Sequence, residues 1–369
     1  MRIDRIELRL LRLPLVHFFE TSFGRIHDKP FIVARLFGDG VDGWGECVAE
    51  EAPFYSYETQ DTAWQIITGY LAPAMLRTTY EHPREIFASF GAVRGHNMAK
   101  ATLEMAGWDL FARQQGQPLC RVLGGVRDRI ASGVSVGIQD SLEQLAAKIR
   151  TELDAGYRRV KIKIKPGWDV EAVRVVRDRF GRVPLMVDAN AAYTPADADR
   201  LAALDAFDLM MIEQPLDYED IADHARLQAR LKTPICLDES IHTPRRAEEA
   251  IRAGACRIIN IKPGRLGGFT ESIRVHDLCA ANGLPVWHGG MLESGIGRTH
   301  NIHLSTLPNF TLPGDVAASQ RYFLPDIIDP PVEVAADGTI AVPGGLGLGI
   351  AVDIGRLDRA TVRSTILKS

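Results

Sequence analysis

Five ionisable residues, Lys163, Asp188, Glu213, Asp238 and Lys262, recur along the chain at steps of about 25 residues. Each stands at or next to the end of a short apolar run: VKIKI, PLMVD, LMMIE, PICLD and RIINIK. Three carboxylates brought to one place repel each other unless a cation lies between them. All-oxygen ligation suits a hard dication, magnesium above all, with manganese able to replace it. A single acidic residue in a strand-to-helix connection is well explained as a helix cap; three at equal spacing are not. A lysine buried at a strand end is costly unless it is paired or used. No candidate nucleophile has a partner base. A hard cation flanked by two lysine bases suits removal of a proton next to a carboxylate. The dication then stabilises the two negative oxygens of the resulting enediolate.

Such a step along the sequence is the length of one strand, one loop and one helix, the repeating unit of a parallel barrel. From Ser132 onward the chain alternates strand and helix patterns. Eight strand candidates follow: 133–138, 158–164, 185–188, 209–213, 235–238, 257–262, 284–288 and 309–312. The amphipathic stretches between them include SLEQLAAKIRTELDAG, DVEAVRVVRDRFG and RRAEEAIRAGA. Asp188, Glu213 and Asp238 then end neighbouring strands, and Lys163 and Lys262 stand four strands apart, on opposite sides of the ring. Alternation along a strand puts Lys161, Lys163 and Lys165 on one face and Ile162 and Ile164 on the other. Lys161 lies one layer deeper than Lys163, within reach of an anionic oxygen, whereas Lys165 precedes Pro166 and lies past the strand end. A doubly wound sheet is the structural alternative, but the glycine-rich dinucleotide fingerprint is absent after the first strand.

Before the barrel, residues 1–50 read as three strands, with Gly and Asp at 38–43 forming a hairpin turn. The stretch 17–28, HFFETSFGRIHD, reads as a mobile loop rather than a strand. Residues 58–78 and 95–115 carry helical spacing. After the barrel come a hairpin-like region at 331–342, the glycine-rich PGGLGLG and a final helix. The expected division is an α+β capping domain over 1–124, a barrel over 125–320 and a C-terminal segment over 321–369 that returns to the capping domain.

The 369 residues carry 43 basic and 47 acidic side chains, a net charge of −4, without a polybasic tract or acidic tail. Nucleic-acid and membrane-surface partners therefore have no electrostatic support. Five scattered cysteines without a CxxC pair fit reduced thiols in a cytoplasmic enzyme. The N-terminus lacks the apolar core of a signal peptide.

The motifs KIKIKPGWD, VDANAAY, IEQPL, CLDES, NIKPGRLGG and GGMLESGIGR together resemble the o-succinylbenzoate synthase and N-succinylamino acid racemase family. That family lies in the muconate-lactonising subgroup of the enolase superfamily. The resemblance runs from the 17–28 stretch through NFTLPGD. It implies an enolase-like α/β fold, a modified (β/α)7β TIM barrel with an α+β capping domain. It implies magnesium on Asp188, Glu213 and Asp238, an acid/base pair in Lys163 and Lys262, and Lys161 at the substrate carboxylate. By the same resemblance Ser135, Gly290, Met291 and Leu292 shape the substrate's far end, and 17–28 and 47–57 are capping loops contributing Phe19, Phe23, Phe54 and Tyr55. Asn190 and Glu239, beside the ligands, are expected to brace them. His288 stands where many relatives carry cysteine and is expected to be a packed or hydrogen-bonded residue. The implied substrate is a small carboxylate and the expected assembly a homo-oligomer. A dipeptide epimerase or muconate-type cycloisomerase is the alternative on this scaffold; the epimerases' acidic DxD on strand eight is reduced here to Asp315. A non-catalytic metabolite-binding barrel would dispense with one of the lysines, and both are present.

Overall fold

The computed structural model describes residues 1–369. Strands β1 (Arg5–Thr21), β2 (Gly24–Gly38) and β3 (Val41–Cys47) form an antiparallel meander. The β2–β3 turn is the two-residue Asp39–Gly40, both with positive φ, the twist that a tight hairpin needs. The helix Asn97–Gln114 packs directly on β3. It can do so because β3 carries Gly43 and Gly45, where a Cβ would lie 2.4 Å from the Ala106 carbonyl and 2.0 Å from that of Thr102. Ile6, Leu8, Ile32, Ala34, Leu36, Leu103, Ala106 and Leu110 make one apolar core beneath that contact.

The stretch 17–28 is not an irregular loop. β1 and β2 continue past the sheet as a two-stranded ribbon, with Phe19 opposite Ile26, Glu20 opposite Arg25 and Thr21 opposite Gly24 after an irregularity beyond Pro14. Cross-strand pairs explain the extension: Arg25 Nε donates to Glu20 at 2.7 Å and its guanidinium stacks on Phe18. At the tip, Ser22 Oγ donates to the Asn190 carbonyl at 3.2 Å.

A short strand, β4 (Arg129–Ala131), leads into seven parallel strands hydrogen-bonded in chain order: β5 (Val134–Val136), β6 (Val160–Lys163), β7 (Leu185–Asp188), β8 (Ile212–Glu213), β9 (Ile235–Leu237), β10 (Ile258–Ile261) and β11 (Val286–His288). Their outward residues are almost all aliphatic and pack on the intervening helices. Met186, Met211, Cys236, Ile258 and Trp287 form a separate cluster. Registration sets the rim: Lys163 lies opposite Asp188, Asp188 opposite Glu213, and Glu213 opposite Cys236, two residues before Asp238. The eighth strand expected at 309–312 does not form. Residues 309–315 instead close the ring irregularly, through single bridges from Phe310 to Val286 and from Gly314 to Ser132. Pro308 and Pro313 bound residues 309–312, and neither has an N–H to give a ladder.

The tail keeps the expected reversal within 331–342, where the Ala335 amide donates to the Thr339 carbonyl at 2.9 Å and the Gly338 amide to the Ala335 carbonyl at 2.8 Å, but its strands pair elsewhere. After β12 (Ile328–Asp329), strand β13 (Thr339–Ala341) pairs with β4, and β14 (Ala351–Val352) pairs with β12. The helix Ile354–Ala360 is followed by β15 (Thr361–Lys368), which adds antiparallel to β1 and gives the sheet order β15-β1-β2-β3. No helix is long and apolar enough to cross a membrane.

Candidate active site

The strand ends converge on a buried set of charges. Lys163 Nζ donates to Asp188 Oδ2 and to Asn190 Oδ1, each at 2.6 Å. Lys262 Nζ donates to Asp238 Oδ2 at 2.7 Å and to the Tyr55 hydroxyl at 3.1 Å. Each ammonium has three hydrogens and spends two in this way. Both lysines line a single cavity of about 350 Å³. Below them Lys161 Nζ reaches Glu213 at 2.9 Å, Asp188 at 3.1 Å and Asp315 at 2.5 Å.

Burial opposes charge on Asp188, Glu213, Lys161 and Lys262, and their neighbours decide the outcome. For Asp188, Lys163 and Lys161 outweigh burial and hold the carboxyl well below the usual range. Burial and then the nearby Asp188 push Glu213 up. Burial also disfavours the Lys161 ammonium, but Asp315, Glu213 and Asp188 hold it above the ordinary lysine range. Tyr55, Glu213, Glu239 and Asp188 do the same for Lys262.

Asp188, Glu213 and Asp238 fit a hard dication. Their donors are all oxygen, they end adjacent strands, and Asp188 and Glu213 crowd each other in a way that a shared cation relieves. As they stand, each carboxylate leans on a lysine, and no three His, Cys, Asp or Glu side chains converge on one point. The surrounding bonds hold the carboxylates in place. Asn260 Nδ2 donates to Glu213 at 2.6 Å, Asn190 Nδ2 to Glu239 at 2.9 Å, and the Asn190 amide to Asp188 at 3.0 Å. Gln214 accepts from the amides of Asp238 and Ser240. Asn190, Ala191, Gln214 and Leu292 all adopt positive φ, a backbone conformation that costs a non-glycine residue energy.

Of the residues expected to shape the substrate, Phe19, Phe23, Phe54, Tyr55, Gly290, Met291 and Leu292 line the cavity, with the Phe23 and Phe54 rings 6.4 Å apart and tilted by 51°. Ser135 and Lys161 do not line it. Ser135 pairs with Lys161 in the barrel ladder, and its buried hydroxyl has no partner. Met291 is packed into the core of the N-terminal sheet and helices. His288 is packed but not hydrogen-bonded: both ring nitrogens lack partners and the ring stacks on Phe310. Burial, then Lys262, push its pKa down to about 3, so it stands neutral.

Sequence reasoning missed Arg265, Arg159 and the engagement of Asp315. Arg265, buried on the turn of helix that follows Lys262, ion-pairs with Asp238 and donates Nε to the Ile241 carbonyl at 2.6 Å. It was visible in NIKPGRLGG, three residues after Lys262, as a cation with no solvent-facing reason to be there. Asp315 is held by Arg159 at 2.6 Å and by Lys161, so it is not turned toward a ligand's amino terminus.

Residues 5–124 match the family described as "Mandelate racemase / muconate lactonizing enzyme, N-terminal domain", and residues 144–356 match "Enolase C-terminal domain-like". An o-succinylbenzoate synthase of Geobacillus kaustophilus is 53% identical over 362 residues, covering 98% of this chain and 96% of that protein. An N-succinylamino acid racemase of Thermus thermophilus is 47% identical over 362 residues, covering 98% of each. The chain belongs to the o-succinylbenzoate synthase/N-succinylamino acid racemase family of the enolase superfamily. A solved enolase superfamily member from Listeria innocua, 40% identical, superposes with a TM-score of 0.96 over 100% of this chain and 99% of that one. This chain's fold, a seven-stranded parallel barrel sheet with an antiparallel cap, is therefore shared with that neighbour over its full length.

Proposed function

We propose that this protein is a magnesium-dependent enzyme that removes a proton α to a carboxylate, working as an o-succinylbenzoate synthase, an N-succinylamino acid racemase, or both. The observation that carries this reading is the pair of buried lysines. Each is docked on a different carboxylate at opposite ends of the Asp188–Glu213–Asp238 arc, with one hydrogen left over, and both border one cavity. Asp188, Glu213 and Asp238 would hold Mg2+, or Mn2+ in its place. Bound there, the dication would neutralise the carboxylates that hold the lysines charged and stabilise the negative charge that grows on the substrate carboxylate. Lys163 and Lys262 exchange a proton with opposite faces of the α-carbon. Lys161, anchored by Asp315 below, meets the substrate carboxylate. Asn190 and Glu239 keep the ligands aligned. Phe19, Phe23, Phe54 and the Gly290–Met291–Leu292 wall enclose the acyl and side-chain groups, with Ser135 beneath.

Charge fits an anionic substrate. Around the site Arg159, Lys161, Lys163, Lys262 and Arg265 face Asp188, Glu213, Asp238, Glu239 and Asp315, and the cavity wall adds Arg25 and Lys29 against Asp28, Glu50 and Glu51. A bound dication would move this balance toward positive charge, which favours a carboxylate substrate. An N-succinylamino acid and the cyclohexadiene precursor of o-succinylbenzoate both carry two carboxylates. The same reading puts the dehydration in menaquinone synthesis, in the cytoplasm, where the five buried free cysteines stay reduced. It includes the three-part division at residues 124 and 320 and assembly as a homo-oligomer. Exposed Val362 and Ile366 on the edge strand β15 favour that assembly.

The test is direct assay of both reactions. Exhaustive chelation, or Glu213→Gln, should reduce each by at least a thousandfold, and magnesium or manganese should restore the chelated parent. Full activity after chelation contradicts the reading.

A further inference from the structure

Tyr55 belongs by position to the aromatic residues that close the cavity, but its hydroxyl is committed elsewhere. It donates to Asp238 Oδ1 at 3.1 Å, accepts from Lys262 Nζ at 3.1 Å and lies 3.4 Å from Arg265 Nη1. The Lys262 ammonium sits 4.6 Å from the centre of the Tyr55 ring, within range of a cation–π contact. Tyr55 is 7% exposed, whereas its neighbour Phe54 is 66% exposed. The segment that carries it is pinned on both sides. Glu58 accepts from the amides of Met98 and Ala99 at 2.9 and 3.1 Å, and Glu50 and Thr59 form a bridge. Tyr55 is thus delivered from a fixed frame, and it is the one side chain of the N-terminal sheet and helices bonded to the lysine–carboxylate set.

We propose that Tyr55 is a positioning residue that aims Lys262 at the α-carbon of the substrate. A lysine that trades a proton with carbon alternates between three hydrogens and two hydrogens with a lone pair. Asp238 and Tyr55 each fix one N–H. The third position, proton or lone pair, is then directed by geometry alone, and the ring blocks one side of the swing that a four-carbon stem otherwise allows. When Asp238 is drawn to a metal, the tyrosine oxygen and ring remain as the ammonium's partners. Lys163 has no counterpart from the cap: its second bond goes to Asn190, from the barrel itself.

This rests on the two-lysine reading above, so the test has one arm that depends on it and one that does not. In the first, Tyr55→Phe with magnesium is incubated in deuterium oxide with each enantiomer of an N-succinylamino acid. Exchange should slow at least tenfold for the enantiomer that Lys262→Ala fails to exchange and stay within twofold for the other. Tyr55→Leu, which also removes the ring, should deepen the same one-sided loss. In the second, magnesium is titrated calorimetrically into Tyr55→Phe without substrate. Its Kd should rise at least fivefold, because an ammonium displaced from Asp238 would then be left buried without its one remaining hydrogen-bond acceptor. Equal slowing of both enantiomers, or no slowing, overturns the proposal. Were the parent enzyme to exchange neither enantiomer, the proposed function would fall on its own, and the titration would decide Tyr55, an unchanged Kd overturning it.

Discussion

The two lysine corners of the site are chemically alike and mechanically different. Lys163 is held by groups that follow the next barrel strand, Asp188 and Asn190, and meets the cap only indirectly, where Ser22 touches the Asn190 backbone. Lys262 is enclosed by Asp238, Tyr55 from the cap and the buried Arg265. The first corner is covered by the ribbon tip, which Ser22 ties to the Asn190 carbonyl and whose flanking residues are held to the barrel by the Ile138 amide donating to the Glu20 carbonyl at 3.0 Å and by Arg25 with Asp140 at 2.6 Å. The second cannot move without disturbing a buried ion pair and an aromatic wall. On the proposed two-base reading, the Lys262 corner is the one built into a buried ion pair and an aromatic wall, and the Lys163 corner is the one beside the ribbon.

Removing the brace on each side, a cation at one corner and an amide at the other, sharpens this contrast most. Arg265→Met should strip Asp238 of a buried partner and destabilise the metal-free protein by about 3–5 kcal/mol, the usual cost of breaking a buried pair. Asn190→Ala at the other corner removes the hydrogen bonds to the Lys163 ammonium and to Glu239 without breaking an ion pair, and should cost about 1–3 kcal/mol. Urea unfolding of both variants checks the order; equal losses would mean the corners are equally braced.

A smaller effect lies in pH dependence. The loop after Lys262 is tied to the cap by Glu104, which accepts from the amides of Phe269 and Thr270 at 2.8 and 2.9 Å and from Trp108 Nε1 at 2.7 Å. Burial pushes its pKa up from 4.5 to about 7. Between those values the folded protein binds a proton that the unfolded chain has released. The contribution of Glu104 is therefore complete below about pH 4.5 and lost as pH rises through about 7. Glu104→Gln should flatten the fall in stability from pH 5 to 8 by the order of 1–3 kcal/mol, seen as a shallower slope of melting temperature against pH. An unchanged slope would show that Glu104 is ionised throughout.

The same contrast separates what could be read from the sequence from what could not. Lys163, Asp188, Glu213, Asp238 and Lys262 were legible because strand, loop and helix repeat at a fixed length, so residues that meet on a rim recur in the chain. Tyr55 and Arg265 obey no such period. Tyr55 reaches Lys262 across 207 residues of chain, and Arg265 depends on a single helical turn folding back over Asp238. The ribbon at 17–28 was hidden because its strands pair with each other beyond the sheet, without a buried face to impose alternation. The stretch 309–312 looked like a strand by composition, yet flanking prolines deny it a ladder. β15 was missed for the opposite reason: an edge strand with TVRSTILK polarity carries little burial to announce it.

The central claim is that two lysines serve two faces of one carbon, and hydrogen–deuterium exchange tests it most directly. Lys163→Ala and Lys262→Ala, each with magnesium, are incubated in deuterium oxide with the separate enantiomers of an N-succinylamino acid, and α-proton loss is followed by proton NMR. Neither variant should racemise, and each should exchange one enantiomer only, the opposite one in each case. Racemisation at the parental rate by either variant, or exchange of the same enantiomer by both, would contradict the account.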